Sequence, residues 1–471
     1  MSEGPSELRR IVWSEVLPLS MLFRGFQLAI DVNKIVLATA LIASVYLGGR
    51  VLDAVWPGSG AAVVGADGVN EAQLFRINRM DRELALDWIH VVGERKSSQH
   101  VGVFRLLMSE SRGALHELMT ATAMLSPGGV IGAVVHMAAI KLWLLALHPV
   151  YAFVFVLLVA LPAWAYFGAA IARMAAVQAT RHEPVSIGAA LAFAKKKFLG
   201  FYLVPLVPLA ILLVVALFFR VGGWIGAIPL VGTILVPLLW CIAIVAGIGA
   251  SLALIGIVLA YPLLYPTMAV ESTDGWEAYS KGLSFVAGCP WRTAIYYTAS
   301  LVYGAICYAF VKFVVRLGLF LVGAMVGAGM NIGSASTPTG NVEHKLDAMW
   351  KSPALDFSTP FFGQMADTHL SGASAAGKFL IACWTFGLVA VVGGFLVSFY
   401  LSASTLCYLL LRRDVDATDF EEVFTDEEMQ EPSSASTPPA AESSTAAPAS
   451  LASLPVVGAD AAAPHGPEPG H

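Results

Sequence analysis

Apolar residues in this chain come in long uninterrupted runs rather than in the two- or four-residue rhythms of soluble elements. A helix crossing a hydrocarbon core of about 30 Å needs about 20 such residues. Runs at 35–56, 150–172, 198–219, 293–315 and 378–411 meet that length. A further run, Val221 to Val270, has 50 residues and no charge. As one helix it would measure about 75 Å, so it must break, and Gly222, Gly223 and Pro229 mark the place. We expect a re-entrant or surface piece at 221–232 and one span from 233 to about Pro262.

The polar positions between the runs set the orientation. Residues 173–197 hold Arg173, Arg181, Lys195, Lys196 and Lys197 against one acid, and the last run ends in Arg412 and Arg413. Cytoplasmic loops close to the membrane carry the lysine and arginine excess, so both sites belong inside, and the even number of crossings between them agrees. The ambiguous stretch is 129–147, GVIGAVVHMAAIKLWLLAL, which contains His136 and Lys141. If it does not cross, there are six spans, both termini are cytoplasmic and residues 57–128 lie outside. If it crosses, there are seven and that loop lies inside. Arg9, Arg10, Arg24 and Lys34 ahead of the first span favour six.

The expected fold is thus all-α: a polytopic transmembrane helical bundle in a cell (inner or plasma) membrane, its C-terminus cytoplasmic. Residues 1–34 form an interfacial N-terminal segment without the pattern of a cleaved signal peptide, and 35–56 the first span. Residues 57–149 form an amphipathic helical loop, 150–413 the main bundle, and 414–471 a tail. Within the loop, Ile77, Met80, Leu84, Trp88 and Val91 recur at helical spacing, as do Phe104, Met108, Ser111, Leu115 and Leu118. Both stripes suit packing on the bundle or lying in the lipid interface. In the tail, residues 414–431 carry nine acids and no base. The Pro/Ala/Ser/Thr-rich stretch after them cannot bury enough apolar surface to fold. Phe420 and Phe424, four apart, offer a partner one helical turn.

Composition narrows the function. The chain is 57% hydrophobic and 13% charged, against about 25% charged in soluble domains. A net charge of −5 provides no basic face for nucleic acid. The five cysteines lie in or beside apolar stretches and none forms C-x-x-C, which speaks against a disulfide scaffold. GASAAGKF at 372–379 has Phe379 where a P-loop needs a hydroxyl, and His116-Glu117 opens an H-E-x-x-H pattern that Thr120 fails to close. Glu343, His344, Asp347, Asp367 and His369 are scattered along a loop in a way that suits solvated side chains better than metal ligands. No catalytic set, metal or cofactor is expected.

Ionisable residues inside spans are expensive and kept for a purpose. The runs at 150–172, 198–219 and 233–262 contain none. Arg50 and Asp53, and Lys312 and Arg316, are placed near span ends, where snorkelling explains them. Tyr296, Ser300 and Tyr303 share a helical face with Cys307, and Ser398, Ser402 and Thr405 share another. Packing between helices is the first reading and a polar groove the second. Gly128/Gly132 and Gly323/Gly327 are small-residue pairs suited to close helix contacts.

Two cytoplasmic elbows share one plan of span, polar turn, surface helix and span. Ser186 is the N-cap of one surface helix, and Asp274 with Glu277 reads as the capping box of the other. At these residues, in IARMAAVQATRHEPVSIGAALAFAKKKF, YPTMAVESTDGWEAYSKGLSFVAGCPWR and YLLLRRDVDATDF, the chain resembles a broad class of uncharacterised bacterial multi-pass membrane proteins. More distantly, it is similar to the membrane domain that accompanies some glycerophosphodiester phosphodiesterases. This chain lacks their separate catalytic barrel with its histidine and paired carboxylates, so the resemblance implies a membrane fold and lipid hydrolysis does not carry over. It also collects Arg173, Glu183, Glu271, Asp274, Lys281, Arg292, Arg412 and Asp414 at one membrane face, where a Glu271–Arg292 pair is expected. The expected role is a non-enzymatic scaffold or docking protein, with membrane lipids and a cytosolic protein met through the acidic tail as partners. The alternatives are a lipid or small-molecule permease using the groove between the last two spans, and a membrane enzyme of unidentified reaction.

Overall fold

The computed structural model describes residues 18–56, 62–65, 69–77, 82–93, 99–229, 231–330, 346–355, 361–365 and 373–418. The second tail segment, Phe420, Phe424, Met80, Glu343, His344, Asp367 and His369 lie outside them. After a 3-10 turn at Pro18–Phe23 come α1 (Arg24–Ala29) and α2 (Val32–Val55). A polar stretch follows with β1 (Ala62–Val64), α3 (Glu71–Ile77), α4 (Arg82–Gly93) and β2 (Gln99–Val101), the two strands pairing antiparallel. Next are α5 (Val103–Ala123), α6 (Pro127–Leu147), α7 (Pro149–Arg181), α8 (Ile187–Lys196), α9 (Phe198–Gly226), α10 (Val231–Leu238) and α11 (Trp240–Glu271). Then come α12 (Gly275–Gly288), α13 (Pro290–Met330), a short antiparallel pair β3 (Trp350–Lys351) and β4 (Gln364–Met365), and α14 (Ala373–Asp416). Among the described residues seven helices are long and apolar enough to cross a membrane: α2, α6, α7, α9, α11, α13 and α14. The fold is all-α and polytopic, and these helices mark an integral membrane protein.

Local chemistry explains where the helices start, stop and bend. The Asp31 side chain accepts the Asn33 N–H to open α2, and Ser186 accepts the Ala189 N–H to open α8. Asp274 is the N-cap of α12, but its side chain makes no capping bond, so the expected capping box is not formed. The long uncharged run breaks later than the glycines suggested. Gly222 and Gly223 sit inside α9, and the chain turns only after Gly226, so the short piece is α10. Gly232 permits that turn, since a Cβ there would stand 2.4 Å from the Gly226 carbonyl oxygen. Beyond it, α11 passes Pro262 through a 3-10 turn at Tyr261–Leu263 and continues to Glu271. In α7, two π-turns at Val156–Ala160 and Trp164–Gly168 flank Pro162. In π register Pro162 would donate to the Leu157 carbonyl, but it has no N–H. The Tyr202 hydroxyl donates there instead, at 3.0 Å.

The bundle has two chemically distinct ends. At the basic end, Arg24 meets His182 at 2.9 Å, Gln178 donates to Asp31, and Lys197 donates to the Ser272 carbonyl at 3.0 Å. Arg292 pairs with Asp414 at 3.1 Å. This end therefore gathers the starts of α1, α9 and α13 and the finishes of α7, α11 and α14. At the other, loop end, the Asp53 carboxylate accepts the Phe104 and Arg105 N–H groups at 3.0 and 3.1 Å and the Tyr151 hydroxyl at 2.7 Å. Glu71 accepts Trp143 Nε1 at 3.2 Å and contacts His148 Nε2 at 2.6 Å. The finish of α2, the start of α5, the finish of α6 and the start of α7 thus meet here. The stretch between α2 and α7 leaves and returns at one end, with α5 and α6 packed side by side as a hairpin. Although α6 is long and apolar enough to cross, its hairpin with α5 leaves the parity of the other six helices unchanged.

Burial differs between the two halves. Towards the basic end, residues 169–176 of α7, 266–270 of α11 and 401–411 of α14 are buried on every side. Toward the loop end, large apolar side chains stay exposed, including Val51 on α2, Phe153 on α7, Val326 on α13 and Trp384 on α14. On α9 and α11 such exposure runs around much of the helix, at Leu213, Val214, Phe218, Val245, Ile248 and Leu252. This is the pattern of helices solvated by hydrocarbon.

Candidate functional site

At the basic end, Glu271 closes α11 and faces three elements. Its carboxylate accepts the Tyr408 hydroxyl at 2.5 Å, lies 3.4 Å from Arg412 Nε and pairs with Lys281 of α12. Lys281 also reaches Glu277, four residues back, at 3.1 Å. Burial by itself would depress the Lys281 ammonium, but the hydrogen bonds and charges of Glu271 and Glu277 outweigh it and raise its pKa. Beside this cluster, Asp414 accepts the Tyr296 hydroxyl at 2.7 Å and pairs with Arg292. Arg173 donates to the Ala269 carbonyl at 2.8 Å with its guanidinium 4.8 Å from the centre of the Phe193 ring.

Six of the eight charges expected at one face are therefore engaged there, in three separate groups. The expected Glu271–Arg292 pair is not among them: Glu271 takes Arg412 and Lys281, and Arg292 takes Asp414. Glu183 and Asp274 are exposed, and no ion pair found among the described residues includes either.

The polar faces of the last two helices, read first as packing and second as a groove, make contacts with neighbouring elements. Tyr296 is spent on Asp414, Ser300 lies 3.3 Å from Cys407 Sγ, and Tyr303 donates to the Phe23 carbonyl at 3.0 Å. Ser398 donates to the Ala29 carbonyl at 2.9 Å and Thr405 to the Leu401 carbonyl at 2.8 Å. Ser402 Oγ is buried without a hydrogen-bond partner. Tyr296, Ser300, Tyr303 and Ser398 thus join α13, α14, α1 and the N-terminal 3-10 turn, while Thr405 bonds within α14. The glycine pairs do not join helices either. Gly323 and Gly327 face Ser352 and Leu346 of the following loop, and Gly128 and Gly132 face open space.

A second polar site, in the α5–α6 hairpin, was not expected. His136 stands between two carboxylates, with Nδ1 2.9 Å from Glu117 and Nε2 3.4 Å from Glu110. Asn70 and Gln73 donate their side-chain amides to Glu110 at 2.7 and 3.3 Å. The His136 side chain is 8% exposed, Glu110 11% and Glu117 54%, so the cluster is closed on one side and open on the other. Glu117, half of an abandoned zinc motif, thus does meet a histidine, 19 residues on and across the hairpin. On the outer face of α5, Arg105, Ser109, Arg112 and His116 form an exposed stripe, and His116 lies close enough to Lys312 to feel its charge.

Lys312 and Arg316 are not at a span end, because α13 continues unbroken to Met330. Exposed Ile306, Phe310 and Phe313 precede or flank them, and Leu321, Val322 and Met325 follow. Arg316 is 3% exposed and donates to the Ala354 carbonyl at 2.7 Å, while Lys312 lies over the Phe361 ring at 5.6 Å. Among the described residues no group of three metal-binding side chains is arranged to hold an ion. Comparison with family models, with curated proteins and with solved structures finds no match to this chain.

Proposed function

We propose that this integral membrane protein is a non-enzymatic scaffold that presents its basic end as a docking platform to a cytosolic protein. The observation that carries this reading is Glu271, one carboxylate that ties α11, α12 and α14 together at the surface. Such a junction fixes the positions of helix ends rather than activating a reacting group. Exposed Trp276 and Trp291, 66% and 82% accessible, flank it and suit the headgroup layer. Lys195, Lys196 and Lys197 add attraction to anionic lipid of about 1 kcal/mol each near the surface. The C-terminus is then cytoplasmic, the membrane a bacterial inner membrane, and the acidic tail a second contact for the partner. The resemblance to a membrane domain that accompanies a separate enzyme is in keeping with a supporting role.

A photocrosslinking residue at Trp276 or Trp291, in cells making the full chain, tests the platform. One discrete protein adduct is expected, lost in Asp414→Arg and regained in Arg292→Asp/Asp414→Arg. Adducts to lipid alone, or a protein adduct indifferent to both changes, overturn it.

A second reading, a lipid or small-molecule permease, is favoured by one observation: Lys312, Arg316 and the α5 stripe fall amid exposed apolar surface, where charges are costly. Flux of an anionic solute or lipid in proteoliposomes, reduced by Lys312→Met, would put it first; unchanged flux removes it.

A further inference from the structure

The geometry points to a proton-binding site in the α5–α6 hairpin, formed by Glu110, His136 and Glu117, which fastens the two helices when occupied. A neutral imidazole has one N–H and one lone pair, whereas a carboxylate only accepts. Both ring nitrogens of His136 face carboxylate oxygens, at 2.9 and 3.4 Å. With a neutral ring and two ionised carboxylates, one contact would set lone pair against lone pair. One further proton removes the conflict, forming the second ring N–H bond or a carboxyl O–H bond. On release it passes to water or a buffer base, and one contact turns repulsive.

The surroundings define which contact yields. Glu110 Oε1 keeps the Asn70 and Gln73 amides whatever His136 does, while its Oε2 depends on the ring. Glu117 is more than half exposed and can be hydrated, giving protons a route in. Among the described residues, other titratable groups on the neighbouring elements have contacts of their own. On α5, His116 lies near Glu117 and near Lys312 of α13. On α3, Glu71 is held by Trp143 and His148, and at the start of α7 Tyr151 is held by Asp53. None of these contacts supplies a donor to Glu110 Oε2. The proton's absence therefore weakens the seam between α5 and α6 at its buried point, in a burial where an unpaired polar contact is expensive.

Spin labels on the full-length protein in nanodiscs test this. Gly113 of α5 and Gly132 of α6 have no atom within 4 Å of a built Cβ, so Gly113→Cys and Gly132→Cys should be tolerated, with Cys241, Cys289 and Cys383 replaced by serine. The inter-label distance distribution is expected to widen as pH is raised and the shared proton leaves. Glu110→Gln should stay narrow throughout, because the new amide donates to Nε2 while its oxygen still accepts Asn70 and Gln73. Glu117→Gln offers the same donor from the open side and decides the matter if Glu110→Gln does not fold. A wild-type distribution that ignores pH, a Glu110→Gln protein that widens as wild type does, or two glutamine variants broad at every pH would each overturn the proposal.

Discussion

The two polar regions of this bundle use the same residue types to opposite ends. At the basic end, Glu271 and Asp414 each have a cationic partner, and the helices beneath them are buried on every side. In the α5–α6 hairpin, two carboxylates share one imidazole inside an apolar seam, and a basic stripe lies open beside it. The first arrangement fixes a structure. The second leaves a group whose contacts depend on a proton. What separates them is how donors are shared: Glu271 meets a hydroxyl and two cations of its own, whereas Glu110, beyond its two amides, competes with Glu117 for a single ring.

Breaking the basic end should have the largest effect. Glu271→Lys sets a third cation against Lys281 and Arg412 and strips the Tyr408 hydroxyl of its acceptor, at a cost of about 3–5 kcal/mol by analogy with disrupted buried pairs. Thermal unfolding in nanodiscs should show a clear fall in Tm. Arg412→Glu in the same chain should recover part of it, whereas Arg292→Glu should recover none, because Arg292 belongs to Asp414. Equal recovery by both would dissolve the distinction between the two clusters.

At the loop end, Asp53→Ala orphans two N–H groups at the start of α5 and the Tyr151 hydroxyl. Loss of a helix cap and a buried acceptor is worth about 2 kcal/mol. The loss should appear first as faster proteolysis between α5 and α6, while the Glu271 cluster, on the far side of the bundle, stays intact. Simultaneous loss of both regions would mean that they are one cooperative unit.

These contrasts follow how much the sequence displayed. Long apolar runs reveal the helices because hydrocarbon demands them, and Arg173, Arg412 and Asp414 stood out because span ends are where charges are tolerated. Partners were harder to read. Glu271 and Arg292 are close in sequence, but α12 lies between them, so adjacency misassigned the pair. His136 looked like an interruption of an apolar run, since its carboxylates come from another helix and periodicity records one helix at a time. Lys312 and Arg316 passed for span ends because a window of about 20 residues closes before a 41-residue helix does. The polar face of α13 leaves two readings for a related reason: it looks the same whether it lines a channel or, as with Tyr303 and Phe23, meets another backbone.

A smaller effect sharpens the account of how α7 bends. Tyr202→Phe removes the donor that serves the Leu157 carbonyl, a loss of about 1 kcal/mol. If Pro162 causes the vacancy, Pro162→Ala supplies an N–H of its own, and the cost of Tyr202→Phe in that background should shrink. An unchanged cost would show that the tyrosine acts through packing alone.

The smallest expected effect concerns Lys281. Its ammonium has a pKa raised in the fold by Glu271 and Glu277. The stability it contributes is therefore fully present below the unfolded-state pKa of about 10.4 and is lost as pH rises through the higher folded value. The side chain is 37% exposed, so screening limits the contribution to about 0–1 kcal/mol. The Tm difference between wild type and Lys281→Met should be flat from neutral pH to about pH 10 and shrink above it. A difference that instead grows with alkalinity would mean that the neutral amine is the form the fold prefers, and that Glu271 is held by Arg412 and Tyr408 without help from α12.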